Sequence, residues 1–360
     1  MIQPPYVGSR RSLGAAVVPP FPCVDQVPIG WLPVGFDVES SSVRWMLVGD
    51  ADFPYAMFDQ SISALRANLP PPRELETDLS ILTETVTANA RSPSGVIVHM
   101  SRCGSTLLLT GLGCARGVLA VGEANMIDEA LTRMAFRSQY WAAMCLKIAR
   151  RTVELLASYR GEAEGRLVIK CGLSGMADLQ QIRAAWPTVP CLVLIRDPIE
   201  VLVSNLQRPP LWMTRWRRDP GSYSFGIPPQ PVLAGGDEES FAWLIGRLCI
   251  QAFGALDKEC FVLDYADLCP TAVSRVASIF DLSFSNEGMT RMTDTFRFHG
   301  RYPNRPYRAD GETKRNAATE VIRAAVERWA QEPYEYLAQR ACQDARRLKS
   351  IRKSIEAGIA

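Results

Sequence analysis

From Ser94 onward, short apolar runs alternate with longer amphipathic segments, and this rhythm is the strongest constraint on what the chain can become. It is the signature of β-α-β units built around a parallel sheet. Candidate strands are Gly95–Met100, Val118–Val121, Leu167–Lys170, Cys191–Ile195 and Phe261–Asp264, each followed by enough chain for a crossover helix. The expected fold class is α/β, three layers with a central parallel sheet flanked by helices. Residues 1–92 read as an N-terminal extension packing on that core, proline-rich at first, aromatic from Val43 to Leu69 and helical near 76–89. The core domain is expected over 93–350, with 351–360 as a tail. Within it, 207–238 carries Pro209, Pro210, Pro220, Pro228, Pro229 and Pro231 and reads as a long loop able to serve as a lid.

Composition removes several function classes. Forty Lys and Arg against 38 Asp and Glu leave a net charge of +2, so no global field recruits nucleic acid or an anionic membrane. Ten cysteines without a CxxC pair, and only His99 and His299, assemble no recognisable metal site. Free, mostly buried thiols are expected, as suits a reducing cytosol. The first residues lack the apolar core of a signal peptide. The most apolar stretch, 241–256, is interrupted by Arg247 and too short to span a bilayer. The expectation is a soluble cytoplasmic protein, monomer or homodimer, with neither nucleic-acid nor membrane partners.

The first strand runs into His99-Met100-Ser101-Arg102-Cys103-Gly104-Ser105-Thr106-Leu107, followed by the apolar Leu108, Leu109 and Leu112. A glycine-bearing loop feeding a helix start gathers backbone N–H groups and the positive end of the helix dipole, which together bind phosphate. Ser105 and Thr106 can cap the helix and donate to an anion, and Arg102 adds a permanent charge. The plainer reading is a helix cap alone. No lysine follows Gly104, so the Walker A grip on a nucleoside triphosphate is missing. A second anion site is suggested where the strand ending at Ile195 delivers Arg196. Asp197 suits an N-cap, Pro198 the first helical position and Glu200 a capping box, while Ser204 lies off the apolar stripe. Alternatively Arg196 pairs with an acid at the sheet edge and Ser204 is simply solvated.

These motifs resemble those of the sulfotransferases, across roughly residues 94 to 330. Arg102, Gly104, Ser105, Thr106 and Leu107 match the family's 5′-phosphosulfate loop, with Ser101 and Cys103 where proline and serine are usual. Arg196 and Ser204 match its R-x7-S arrangement for a 3′-phosphate. The form looks most like a bacterial and tyrosylprotein branch. The resemblance implies a P-loop NTPase-like domain and the donor 3′-phosphoadenosine 5′-phosphosulfate (PAPS), with adenosine 3′,5′-bisphosphate as product. It implies cofactor binding by Arg102, Cys103, Gly104, Ser105, Thr106, Arg196 and Ser204, with Cys103 offering only its backbone. Lys314 and Arg315 fall where the family keeps a loop that closes over the 3′-phosphate.

Glu123, after the second strand, is the implied general base, and His99 is its competitor or a buried structural histidine. Arg102 and Lys170 would stabilise charge on the transferring group, or Lys170 would orient the base. Asp267, in a DYADL segment, would hold a turn. Trp212, Arg215, Trp216, Arg217 and Arg218 could roof an acceptor. The acceptor is a hydroxyl or amine of a small molecule or peptide, and no metal is required. Rival readings are an ATP-dependent P-loop kinase and a non-catalytic nucleotide-binding protein. The basic residues from Arg340 to Lys353 read as a solvated helix face.

Overall fold

The computed structural model describes residues 27–37, 39–68, 73–83, 91–136, 139–159, 165–299, 302–306 and 310–357. Its N-terminal unit is an antiparallel sheet of β1 (Trp31–Asp37), β2 (Ser42–Leu47) and β3 (Glu74–Asp78), with α1 (Phe58–Asn68) between β2 and β3. Strand alternation sets its faces, since Val43 and Trp45 are buried while Arg44 between them is exposed. The helix expected near 76–89 is corrected over 76–78. Leu75 and Thr77 turn inward while Glu74, Glu76 and Asp78 face water, the two-residue period of a strand, and Ser80–Thr83 follows as a helical turn. Residues 84–90 lie outside the described part. The unit docks through Phe53, which stacks on Tyr159 at 5.5 Å, and through the Tyr159 hydroxyl, which donates to the Ala51 carbonyl at 3.0 Å.

The core begins with β4 (Gly95–His99), α2 (Ser105–Leu112), β5 (Val118–Gly122), α3 (Asn125–Phe136) and α4 (Gln139–Ser158). It continues through β6 (Arg166–Lys170), β7 (Cys191–Ile195) and α5 (Pro198–Gln207). Each of the five expected strands is present, with ends moved by at most one residue, the last being β8 (Cys260–Asp264). They form one parallel sheet in the order β5-β6-β4-β7-β8. Every residue of β4 and β7 is buried, as central strands covered on both faces require. Winding runs to one side of β4 and then to the other, so the carboxyl ends beside β4 form the crevice where open α/β sheets bind ligands.

Segment 207–238 is not a long loop. It folds into α6 (Leu211–Arg218), a 3-10 turn at Pro220–Ser222, a helix at Gln230–Ala234 and the start of α7 (Gly236–Gly254). Its prolines sit at or just before helix starts, where a missing N–H costs nothing. Met213, Trp216 and Phe225 are buried, and the rings of Trp212 and Trp216 lie 5.9 and 5.4 Å from that of Phe241. Trp216 is therefore packed into the body of the domain, and Trp212 lies half-buried against Phe241.

The chain closes with α8 (Gly311–Ala317), α9 (Glu320–Trp329) and α10 (Gln331–Ala357). The last of these is more than a solvated face. Asp344 Oδ2 accepts the Val262 N–H at 2.9 Å, and Arg340 donates to the Cys260 carbonyl at 3.2 Å, so α10 satisfies the outer edge of β8. Nine cysteines fall among the described residues, none of them in a disulfide and seven of them buried. Among the described residues no helix is long and apolar enough to cross a membrane.

Candidate functional site

The carboxyl ends of the sheet gather the residues singled out by sequence. Glu123 follows β5, Lys170 ends β6, His99 ends β4 and leads into the loop, Arg196 follows β7, and Asp264 ends β8. The loop is built from left-handed backbone: φ is 69° at Ser101, 50° at Arg102 and 82° at Gly104. Two of these are non-glycine residues, which pay for that geometry only where the surroundings fix it. Gly104 is the N-cap of α2, and no side chain caps it. The expected capping by Ser105 or Thr106 is thus corrected, because both lie inside the first turn. A Cβ on residue 104 would stand 2.7 Å from Leu268 Cδ2 and 2.9 Å from the Tyr265 ring, so the loop closes only around glycine.

Cys103 turns its side chain into the core, where burial pushes its thiol up to about 12, leaving its backbone to the loop. Arg102 donates from Nε to Asn205 Oδ1 at 3.3 Å and from Nη2 to the Arg208 carbonyl at 2.5 Å. Ser101 Oγ donates to the same Asn205 oxygen at 3.2 Å. Asn205 was not singled out by sequence, and its signal is its place beside Ser204, a buried amide inside an otherwise apolar stretch of α5. Ser204 itself is half-buried on α5.

Glu123 also has left-handed backbone, with φ 51°, and its N–H donates to the Lys170 carbonyl at 2.6 Å. That twist brings its side chain back over β6. The fully buried Lys170 donates from Nζ to Glu123 Oε1, and His99 Nε2 lies 3.6 Å from the same oxygen. Burial raises the Glu123 carboxyl, but the Lys170 charge, the nearby His99 ring and the Lys170 hydrogen bond outweigh it and hold it well below the usual carboxylate range. Lys170 thus engages the Glu123 carboxylate. The N-terminal unit reaches the same place: Met57 bridges to Gly122, with its Sδ 3.9 Å from Lys170 Nζ. A Cβ on Gly122 would meet the Ala56 carbonyl at 2.4 Å, so this approach also needs a glycine. Asp128 accepts the Gly172 N–H at 2.9 Å, and burial with the nearby Glu123 charge lifts its carboxyl to about 8. Burial, reinforced by Glu123, also raises Asp59 against the opposing Asn125 amide.

Arg196 is enclosed. Its Nε donates to Glu200 Oε2 at 2.8 Å, Nη1 to the Arg102 carbonyl at 2.8 Å and Nη2 to Asp310 Oδ1 at 2.8 Å, while its carbon sits 4.1 Å over the Tyr265 ring. Arg196 is thus paired with two acids, Glu200 and Asp310. Asp197 caps α5 as expected, accepting from the Ile199 and Glu200 amides at 2.8 and 3.3 Å. Glu200 is no capping-box partner, because its carboxylate is committed to Arg196 and Arg315. Lys314 Nζ lies 2.8 Å from Asp310 Oδ2, so α8 carries Lys314 and Arg315 into the Arg196 cluster. Nothing in the sequence flagged Asp310, whose partners are far along the chain. Asp264, rather than Asp267, holds the turn after β8, accepting from the Ala266 N–H at 2.9 Å and from the Tyr334 hydroxyl at 2.6 Å.

No protein-family model and no curated protein matches the chain. Among solved structures it is similar to a sulfotransferase from Mycobacterium tuberculosis, with 16% identity and a TM-score of 0.36 over 57% of this chain and 71% of that one. It is also similar to a sulfotransferase domain from the curacin biosynthetic pathway, with 15% identity and a TM-score of 0.38 over 69% of this chain and 98% of that one. A sulfotransferase from Alicyclobacillus acidocaldarius gives 13% identity and a TM-score of 0.36 over 66% and 96% of the two chains. The α/β fold itself stands on the strand order and the loop geometry described above.

Proposed function

We propose that the protein is a sulfotransferase that moves a sulfuryl group from PAPS to a hydroxyl or amine of a small-molecule or peptide acceptor in the cytoplasm, with Glu123 as general base. The observation that carries this reading is the meeting of the Glu123–Lys170 pair with an uncapped, left-handed loop at one sheet edge. The loop fits a phosphate. Its backbone turns at Ser101, Arg102 and Gly104 into the start of α2, and Tyr265 and Leu268 wall one side. Arg102, Cys103, Gly104, Ser105 and Thr106 would hold the 5′-phosphosulfate, and Arg196, Ser204, Lys314 and Arg315 the 3′-phosphate. Arg196, Lys314 and Arg315 against Glu200 and Asp310 leave that second cluster one positive charge in excess. A phosphate dianion there competes with Asp310 for the Arg196 guanidinium.

When bound, PAPS supplies the sulfuryl group and a phosphate leaving group. The protein's own part is to orient the acceptor and take its proton. Glu123 is ionised throughout the physiological range, as a base must be before the reaction starts. With Oε1 engaged by Lys170, Oε2 is the atom that receives the acceptor proton, and the new carboxylic acid remains beside the Lys170 ammonium. Arg102 and the loop amides meet charge developing on the transferring and leaving oxygens.

Calorimetric titration with adenosine 3′,5′-bisphosphate, adenosine 5′-phosphate and ATP with Mg²⁺ separates the readings. Preference for the bisphosphate supports the proposal, while preference for Mg·ATP makes phosphotransfer the function. Glu123→Gln should leave bisphosphate affinity intact and lower kcat by about 100-fold or more. An undiminished kcat removes Glu123 as the base.

A further inference from the structure

His99 is 6% exposed, and the geometry around its two nitrogens is unequal. Nδ1 accepts the Ser101 N–H at 3.1 Å, so the ring proton of the neutral imidazole belongs on Nε2. Nε2 is buried with no partner within hydrogen-bond distance. Glu123 Oε1 lies 3.6 Å from it. The other groups facing the ring from the elements around it are the Lys170 ammonium and the Cys171 backbone at the end of β6. A buried N–H donor left short of a carboxylate is costly, and a small shift of Glu123 completes the bond. The Ser101 amide reaches Nδ1 from a residue held at φ 69° in the phosphate loop, and Ser101 is in turn tied to Asn205 of α5.

We propose that His99 is a positioning residue that stays in the neutral Nε2–H form, aims that proton at Glu123, and couples the orientation of the base to the conformation of the phosphate loop. This rests on the sulfotransferase reading only for the reaction that Glu123 serves. His99 is not the base itself. Its only basic nitrogen is occupied by the Ser101 amide, and the nitrogen facing the site already carries a proton. Burial and the Lys170 charge also keep the ring below its ordinary value, against the upward pull of Glu123.

Two variants separate the two jobs of the ring. In His99→Asn the side-chain oxygen can replace Nδ1 as acceptor for Ser101, but the donor toward Glu123 is lost. In His99→Gln the amide nitrogen reaches the place of Nε2 and restores the donor. The expected result is a fall in kcat of about 100-fold for His99→Asn with little change in KM, and recovery of most of that turnover in His99→Gln. Turnover in His99→Asn equal to the starting protein overturns the proposal, as does equal failure of both variants with bisphosphate binding intact.

The tautomer is read without any assay. The protein holds only two histidines, so long-range ¹H–¹⁵N spectra resolve His99 directly. The expected pattern at about pH 7 is a bare Nδ1 and a protonated Nε2, with an Nε2–H signal that moves in Glu123→Gln. A protonated Nδ1 at that pH, or a signal indifferent to Glu123→Gln, overturns it. If PAPS turnover is absent altogether, these spectra alone decide on His99, and the reaction assigned to Glu123 falls separately.

Discussion

Gly104 and Lys170 are the residues on which the site is most sensitive to single changes. Gly104→Ala adds a Cβ into contact with Leu268 and Tyr265 at a φ of 82°, so both sterics and backbone oppose it. The expected loss is about 1–3 kcal/mol of stability, measured by urea denaturation, together with weakened bisphosphate binding by calorimetry. Lys170→Met leaves Glu123 with burial and without its cation. Glu123 in the intact protein sits below its ordinary 4.5, so its contribution to stability is present above that pH and is lost as pH falls toward the folded-state value. The variant should therefore be destabilised by about 1–3 kcal/mol at pH 7, after allowance for the partial exposure of Glu123, and by less at pH 4. Equal destabilisation at both pH values argues that the loss is packing alone. The sequence named Glu123, Lys170 and Arg196, since each ends a legible strand. It did not reveal that Arg196 spends its donors on Glu200 and Asp310, because nothing local to Asp310 signals a partner 114 residues away.

At the scale of elements, agreement with sequence is best where the signal is local. α5 starts at Pro198 because Asp197 accepts two amide protons and proline supplies a preset φ. The strands of the parallel sheet are near-continuous apolar runs, which only a doubly covered sheet explains. In segment 207–238 the prolines suggest a loop, whereas at the first turn of a helix proline is compatible with the fold. The start of the helix expected near 76–89 is a strand instead, because the residues of β3 gain their pairing from β2, more than 25 residues earlier, as in Trp45 opposite Leu75. The docking of α10 on β8 gives the prediction at this scale. Asp344→Ala removes the acceptor of the Val262 N–H and the partner of Arg340, and should cost about 1–3 kcal/mol. Hydrogen exchange at the Val262 amide should accelerate with it, and unchanged protection there would show that α10 holds the edge by other contacts.

Across the whole molecule, buried carboxyls set how stability follows pH. Burial, with the Glu123 charge, raises Asp128 to about 8, and burial raises Asp178 to about 6 against the donors around it, Thr132 at 2.7 Å among them. A folded-state value above the unfolded 3.8 means that the native protein holds the proton more tightly. That stabilisation is full below 3.8 and is lost as pH rises toward the folded values of about 6 and 8. Urea midpoints should accordingly fall between pH 5 and 8, and Asp128→Asn, which keeps an acceptor for the Gly172 amide, should flatten the fall and gain about 1–2 kcal/mol at pH 8.

The sequence by itself determined the parallel sheet, the strand-loop-helix at 95–112 and the start of α5, because each depends on neighbours within a few residues. Only tertiary structure decided the strand order that brings Glu123, Lys170, His99 and Arg196 to one edge, the pairing of Arg196 with Asp310, and the imidazole held between the loop and Glu123. Those contacts join residues that local propensity cannot relate, and they exist only after chain entropy has been overcome by burial of the core.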